Sequence, residues 1–315
     1  MRVLLALDGS AASDSARRLV GSLSWPEGSV INVVGVVEPI VDVFGGLNAY
    51  PGAAAELEPA AQEGLAAVLD DACEALRAPG LIVRRAVVIG RPASVILDEA
   101  LALRAELIVV GSRGLGPIKS MLLGSVSDEV VDHAPCPVLV VRSARVASIL
   151  IGVDGSAASS GAVAFLTGTP VFRGRPVEVL AVGARFRPVA SLDLGRRSTS
   201  GTPDVLVDRE HTEATAAAAA GMLSRQGYQV RWSVAAGDPA DEIIEAASSF
   251  GSDLIVLGSR GMSGLDRVLL GSVSRNVLLH APASVLIVRE PIRERASEPA
   301  TEESRSSRVA TLAMS

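Results

Sequence analysis

The chain has 315 residues, 49% of them hydrophobic but only 3% aromatic, with a formal net charge of −6. That length points to two domains of about 150 residues, each with a core of Val, Leu, Ile and Ala. The acidic balance argues against a general nucleic-acid-binding or acidic-membrane surface; no apolar run reaches the roughly 20 residues that span a bilayer; and with Lys119 as the only lysine, a phosphate site built on a lysine is excluded.

In chain order, an apolar strand at 3–7 ends in Asp8-Gly9-Ser10 and an Ala-rich helix follows. This opening apolar run is too short for a signal peptide. A second strand over 30–37 gives way to a variable Gly- and Pro-rich stretch, 38–55, and then to a long Ala-rich helix, 57–77. A third strand, 81–88, runs into Gly90-Arg91-Pro92 and a helix with apolar spacing at Val95, Ile96, Ala100 and Leu103. A fourth strand, Leu107–Val110, enters a glycine loop; a short helix, 125–133, and a last strand, 137–141, close the unit. Cys73 and Cys136 show no CxxC spacing and read as buried thiols of a reducing cytoplasm.

The same order then returns. VLLALDGSAAS at 3–13 recurs as ILIGVDGSAAS at 149–159, LLGSVS at 122–127 as LLGSVS at 269–274, and HAPCPVLVVR at 133–142 as HAPASVLIVR at 280–289. From Gly90 and Gly237 onward the offset stays at 147 residues, through loops as well as strands, which marks a duplication. The second copy has strands at 149–153, 176–182, 229–235, 254–257 and 284–288, a variable stretch at 184–208 and helices at 209–226 and 272–280. Strand–helix alternation predicts an α/β fold of two tandem doubly wound five-stranded parallel sheets, helices on both faces, with right-handed crossovers. The domains span 1–143 and 148–290, and the charged, Ser-rich tail at 291–315 reads as disordered.

The chemistry concentrates at Gly111-Ser112-Arg113-Gly114, followed after nine residues by Gly124-Ser125; Gly258, Gly261, Gly271 and Ser272 repeat the spacing. The loop leaves the carboxyl end of strand four, where doubly wound sheets take ligands. Glycines there let backbone N–H groups reach phosphate oxygens, and the helix opening after Gly124 offers free N–H groups and a positive dipole end. The plainer alternative is a Gly-rich turn and a Ser N-cap, with Asp128 in a partial capping box; the identical second copy favours the binding reading. Asp8 and Asp154 follow strand one at the sheet's mouth. They either cap the next helix, shared with Ser10 or Ser156, or accept hydrogen bonds from a nucleoside, since a carboxylate beside a triphosphate is repulsive unless a metal intervenes. His133 and His280 sit at helix ends and read as C-terminal caps. Arg113 and Arg260 either reach phosphates or face solvent. No GxxxxGK[ST] occurs, no Ser/His/Asp or Cys/His order recommends nucleophilic catalysis, and no GxGxxG follows strand one.

These segments resemble the universal stress protein family in its ATP-binding branch, whose G-x2-G-x9-G-[ST] signature stands at 111–125 and 258–272; the likeness covers nearly all of residues 1–290. The resemblance implies a Rossmann-like fold of the adenine nucleotide alpha hydrolase type, with ATP, with or without Mg²⁺, in each domain. Asp8 and Asp154 would contact the adenosine part, the backbone near Val36 and Val182 would hold adenine, and Gly111 and Gly258 would lie under the ribose. Gly114, Gly124 and Ser125 would grip phosphates, as would Gly261, Gly271 and Ser272. Ser112, Arg113 and Val126, with Gly152, Ser259, Arg260, Gly264 and Val273, complete the candidate set. No catalytic or metal-ligating residue is assigned. The family pairs such domains through their last strands, which Val138–Val141 and Val285–Val288 would do within one chain, leaving no free edge there.

The copies differ. Pro117 stands where the second copy has Gly264 and removes an N–H, and Gly152-Val153-Asp154 is closer to the family than Ala6-Leu7-Asp8; both favour the second site. The expected role is a cytoplasmic, ATP-dependent stress-response regulator with little or no turnover, acting on a regulatory protein partner, with homodimerisation open. The alternatives are an ATPase or nucleotidyl or phosphoryl transferase on the same fold, in which Arg113 or Arg260 stabilises phosphate charge, or an assembly module without ligand.

Overall fold

A computed structural model describes residues 1–39, 51–114, 123–183, 203–260 and 270–289 of the chain. The expectations for Pro117, Gly261 and Gly264, for most of both variable stretches and for the tail fall outside these residues. The first half contains β1 (Arg2–Ala6), α1 (Ala11–Ser22), β2 (Ser29–Val37), α2 (Pro51–Ala75), β3 (Leu81–Ile89), α3 (Pro92–Ala102), β4 (Leu107–Gly111), α4 (Ser125–His133) and β5 (Val138–Val141). The second repeats it with β6 (Ile149–Val153), α5 (Ala157–Gly168), β7 (Pro176–Gly183), α6 (Pro203–Arg225), β8 (Gln229–Ala236), α7 (Pro239–Phe250), β9 (Leu254–Gly258), α8 (Ser272–His280) and β10 (Ser284–Val288). A short 3₁₀ turn at Pro170–Phe172, which places the fully buried Phe172, has no counterpart among the described residues of the first half.

The strands form one ten-stranded sheet in the order β3-β2-β1-β4-β5-β10-β9-β6-β7-β8. Within each half every pairing is parallel. β5 meets β10 antiparallel, with Leu139 opposite Leu286 and Val140 opposite Val285. The two five-stranded sheets are thus halves of one sheet. The last strands have no free edge, and the exposed edges are β3 and β8 at the far ends. There Arg84 and Arg85 on β3, and Arg231 on β8, face solvent and discourage further strand addition.

Central strands are buried along their whole length, as both-face coverage requires. Alternation divides them between two layers. Val3, Leu5, Val109 and Leu139 face the layer of α1 and α2, while Leu4, Ile108, Val110 and Val138 face that of α3 and α4. Each layer runs without a break into the matching layer of the second half.

Local chemistry sets the helix starts. Ser10 and Ser156 accept the backbone N–H of Ser13 and Ser159 and cap α1 and α5. Asp238 caps α7 ahead of Pro239, and Gly251, at φ 68°, ends it in the left-handed region. On α3 the expected apolar positions Ile96 and Ala100 are buried, while Val95 and Leu103 are half-buried and Ala93 completes the face. α2 and α6 begin at Pro51 and Pro203, about a turn and a half earlier than their Ala-rich runs suggested. A proline suits a first helical turn, where its missing N–H costs nothing. Cys136 is buried and burial pushes its thiol up to about 12; Cys73 is only half-buried. Among the described residues no helix is long and apolar enough to cross a membrane.

One difference between the copies has a packing cause. A Cβ on Gly152 would lie 2.7 Å from Leu257 Cδ2 and 3.1 Å from Ile243 Cδ1. The first copy has Ala6 and Val110 at the matching positions: the second gained a carbon on β9 and lost one on β6. Gly152→Ala is expected to cost about 1–3 kcal/mol by overpacking, and adding Leu257→Val to recover most of it, in urea unfolding of the two variants.

Candidate functional site

β1 sends its chain toward β2 on one side, while β4 lies on its other side and leads to β5. The crevice beyond the carboxyl ends of β1 and β4 is therefore a topological switch point, and β6 and β9 form its counterpart. Asp8 leaves one wall of the first crevice and Gly111 the other.

The half-buried Asp8 holds a fixed pose. Its Oδ1 accepts the Ser10 N–H at 2.9 Å, and its own N–H donates to Ser13 Oγ at 3.4 Å. Asp154 repeats both bonds with Ser156 and Ser159, at 2.9 and 3.4 Å. In each half Oδ1 is spent locally, beside a serine that caps the helix, which leaves Asp8 Oδ2 on the side of the β4 loop. A Cβ on Gly114 would stand 2.6 Å from Asp8 Oδ2, so a side chain there would displace this oxygen from its place above the β4 loop.

The loop is tied to the next helix. Gly124 N–H donates to the Ser112 carbonyl at 2.8 Å, and Gly271 N–H to that of Ser259 at 2.8 Å. A Cβ on Gly124 would come within 3.3 Å of Arg113 Cα. Gly124 and Gly271 are themselves the N-caps of α4 and α8 and supply no side-chain cap. This corrects the Ser N-cap alternative: Ser125 and Ser272 lie inside the helices, exposed at the first position, and Asp128 bonds across to the second half instead of closing a capping box. The first N–H groups of α4 and α8 consequently have no intrahelical acceptor and open on the crevice, where the dipole favours an anion.

Gly111 and Gly258 have a structural reason of their own. A Cβ on Gly111 would lie 2.8 Å from the Ala12 carbonyl carbon and the Ser13 nitrogen, and one on Gly258 would lie 2.5 Å from the Ala158 carbonyl carbon. The first turns of α1 and α5 rest on these glycines. Val36 and Val182 stand at the ends of β2 and β7, one strand from the crevice, and Val126 and Val273 on the first turns of α4 and α8; all four side chains pack on the α3–α4 or α7–α8 layer. Gly152 lies within β6, its missing side chain replaced by core. His133 Nδ1 lies 2.9 Å from the Glu129 carbonyl and His280 Nδ1 2.9 Å from that of Asn276, closing the helix ends as expected.

Two groups, and one contact of Ser10, escaped the sequence reading. Ser127 and Ser274, buried, donate to the Gly111 and Gly258 carbonyls at 2.6 and 2.7 Å and lock α4 and α8 to the strand ends. Ser10 Oγ donates to the Arg113 carbonyl at 3.4 Å, joining both walls of the first crevice. Arg142 and Arg289 end β5 and β10. Burial lowers Arg142 to about 10, with the like charge of exposed Arg113 adding to it, and burial also lowers Arg289, against which the Asp132 carboxylate works and to which Arg260 adds. Each β4 or β9 loop thus has two guanidiniums near it, the second pair with a carboxylate alongside. All of these residues recur at the repeat spacing, the one signal that pointed to them. Among the described residues, no cluster of three His, Cys, Asp or Glu side chains could hold a metal ion.

Residues 1–142 and 146–289 each match the family model described as the Universal stress protein family. A universal stress protein of Thermus aquaticus is 38% identical over 145 residues, 44% of this chain and 97% of the relative. One from Mycolicibacterium smegmatis is 29% identical over 307 residues, 91% and 96% of the two chains. Among solved structures, a universal stress protein from Archaeoglobus fulgidus shares the fold with a TM-score of 0.63 at 20% identity, covering 91% of this chain and 98% of its own.

Gly258→Ala forces a side chain onto helix backbone and is expected to destabilise by about 1–3 kcal/mol. Gly161→Ala, which meets open space within α5, should instead stabilise by about 0.5–1 kcal/mol. Urea midpoints of the two single variants check the contrast.

Proposed function

This chain belongs to the universal stress protein family in both of its halves, and we propose that each half binds ATP at its switch-point crevice, so that the chain works as a nucleotide-dependent regulator. The observation that carries this reading is the pairing, in one crevice, of a fixed carboxylate oxygen with a helix N-terminus left uncapped. The two features suit opposite ends of one ligand. Asp8 Oδ2 and Asp154 accept hydrogen bonds from nucleoside hydroxyl or amino groups. Gly114, Gly124, Ser125 and Val126, with Gly271, Ser272 and Val273, present backbone N–H groups to phosphates, with Ser112, Arg113, Ser259 and Arg260 beside them; Gly261 and Gly264, outside the described residues, are assigned to the same role from the sequence alone. The arginines balance phosphate charge, and Mg²⁺, where it accompanies the nucleotide, is held chiefly by phosphate oxygens. Val36 and Val182 flank the base, and Gly111 and Gly258 set the floor on which the ligand rests.

The way Asp8 is held supports a regulatory reading. Its Oδ1 is occupied by Ser10 and its Oδ2 is placed as an acceptor beside Gly114, a geometry for recognition. A protein partner, or a second copy of the chain, would then read the loaded state.

The double variant Asp8→Asn, Asp154→Asn keeps the local Oδ1 acceptor and turns the other oxygen into a donor. Its ATP affinity by isothermal titration is expected to fall about tenfold, the worth of one hydrogen bond to a charged group. Unchanged affinity refutes the assignment. Phosphate release above the buffer rate, abolished by Asp154→Asn alone, would replace the regulator with an ATPase.

A further inference from the structure

The seam between the halves is held by two sets of contacts with different symmetry. The first set is symmetric under the repeat. Leu139 faces its own equivalent, Leu286. Arg142 donates from Nη2 to the Leu278 carbonyl of α8, and Arg289 from Nη2 to the Val131 carbonyl of α4 at 2.7 Å; residues 142 and 289, like 131 and 278, occupy equivalent positions. Any two such halves meeting about a two-fold axis would make these bonds, as in an isologous dimer.

The second set cannot be made that way. Arg275 on α8 donates from Nη1 to Asp128 Oδ1 at 2.8 Å and from Nη2 to Asp132 Oδ2 at 2.6 Å. Position 275 is the repeat equivalent of 128, so across the axis this position meets itself. Two first halves would set Asp128 against Asp128 with both Asp132 carboxylates alongside. Two second halves would set Arg275 against Arg275, with Leu279 where a carboxylate is needed. The side chains are 15% exposed at Asp132, 33% at Arg275 and 43% at Asp128, so solvent screens such repulsion most at Asp128 and least at Asp132. The neighbouring sequence agrees: α4 reads SVSDEVVDH and α8 SVSRNVLLH, with the side chains that differ including every charged one but the terminal histidine.

We propose that Asp128, Asp132 and Arg275 form a pairing code that admits a first half only against a second half. The partner this face fits is the opposite half, in the same chain or by exchange in a second copy, and like halves are rejected by charge. The symmetric contacts supply adhesion and the asymmetric ones supply choice.

The full-length chain carries the test. Arg275→Asp with Leu279→Asp writes the first half's code into the second. At neutral pH and low salt, amide hydrogens of Val138–Val141 and Ser284–Val288 are expected to exchange roughly tenfold faster or more, as the loss of close, partly desolvated charge pairs implies. Adding Asp128→Arg and Asp132→Leu exchanges the code between halves and is expected to return protection to within about twofold of the wild type, on the additivity of a completed cycle. Wild-type protection in the double variant, or a quadruple variant as unprotected as the double, overturns the proposal. Rescue by exchange separates pairing choice from a general loss of packing at Leu279.

Discussion

The antiparallel ladder between β5 and β10 fixes the rest of this molecule. It turns two parallel sheets into one and makes each helix layer a single core shared by both halves. Because the ladder is antiparallel, the strand ends that carry Asp8 and Asp154 point in opposite directions, and the two crevices open at opposite edges of the sheet. Both nevertheless lie beside the seam, since β4 and β9 are the strands next to β5 and β10. Arg142 makes the proximity concrete: it feels Arg113 at the first crevice while its guanidinium holds the carbonyl end of α8. Whatever moves the Arg113 loop acts one residue away from the junction of the halves.

At the crevice the chain relies on backbone more than on side chains. Gly111 admits the first turn of α1, Gly114 admits the Asp8 carboxylate, and Gly124 admits the loop. Three close approaches within fourteen positions of sequence leave little room for side chains, and the polar groups left facing the crevice are mostly N–H donors. Ser10, Ser156 and Asp238 cap α1, α5 and α7 with their side chains; α3, after Arg91, and the two crevice helices α4 and α8, after glycines, have no side-chain cap. Such an end is costly unless water or a ligand satisfies it, and in α4 and α8 it recurs in both halves.

Much of this was legible in the sequence because the repeat printed most local features twice. Strand positions, the glycine loop after β4, the carboxylate after β1 and the histidine caps depend on patterns a few residues long, and these survive without a structure. The helix starts at Pro51 and Pro203 did not, because a Gly- and Pro-rich stretch reads as loop even where proline sits well in a first turn. Gly111 was read for its ligand, and a capping hydroxyl on Ser125 stood as the alternative to phosphate contact, whereas packing against α1 and the choice of Gly124 as cap are set by neighbours that the local pattern does not name. Ser127, Arg142 and Asp128 were missed or misread because their partners lie outside their own elements, at the end of β4 for Ser127 and across the seam for the other two. Periodicity reports which face is buried, not what is buried against it.

The seam also shows what a fused pair can do that a homodimer cannot. In a symmetric dimer, a residue on the axis faces its own copy, so a change from Asp to Arg alters both sides at once and replaces one repulsion with another. Only after two copies share a chain can one position change while its equivalent stays. The contact of Arg275 with Asp128 and Asp132 is of that kind, and it sits where self-pairing was most direct. Elsewhere on the seam, Leu139 and Leu286, and Arg142 and Arg289, keep contacts a homodimer would also make. Off the axis, at the crevices, the described residues Asp8 and Asp154, Ser112 and Ser259, and Ser125 and Ser272 are identical in type, although Ala6 stands opposite Gly152 and Pro117 opposite Gly264 in sequence. The charge exchange that no symmetric pair can make thus sits on the axis, where a position and its equivalent meet.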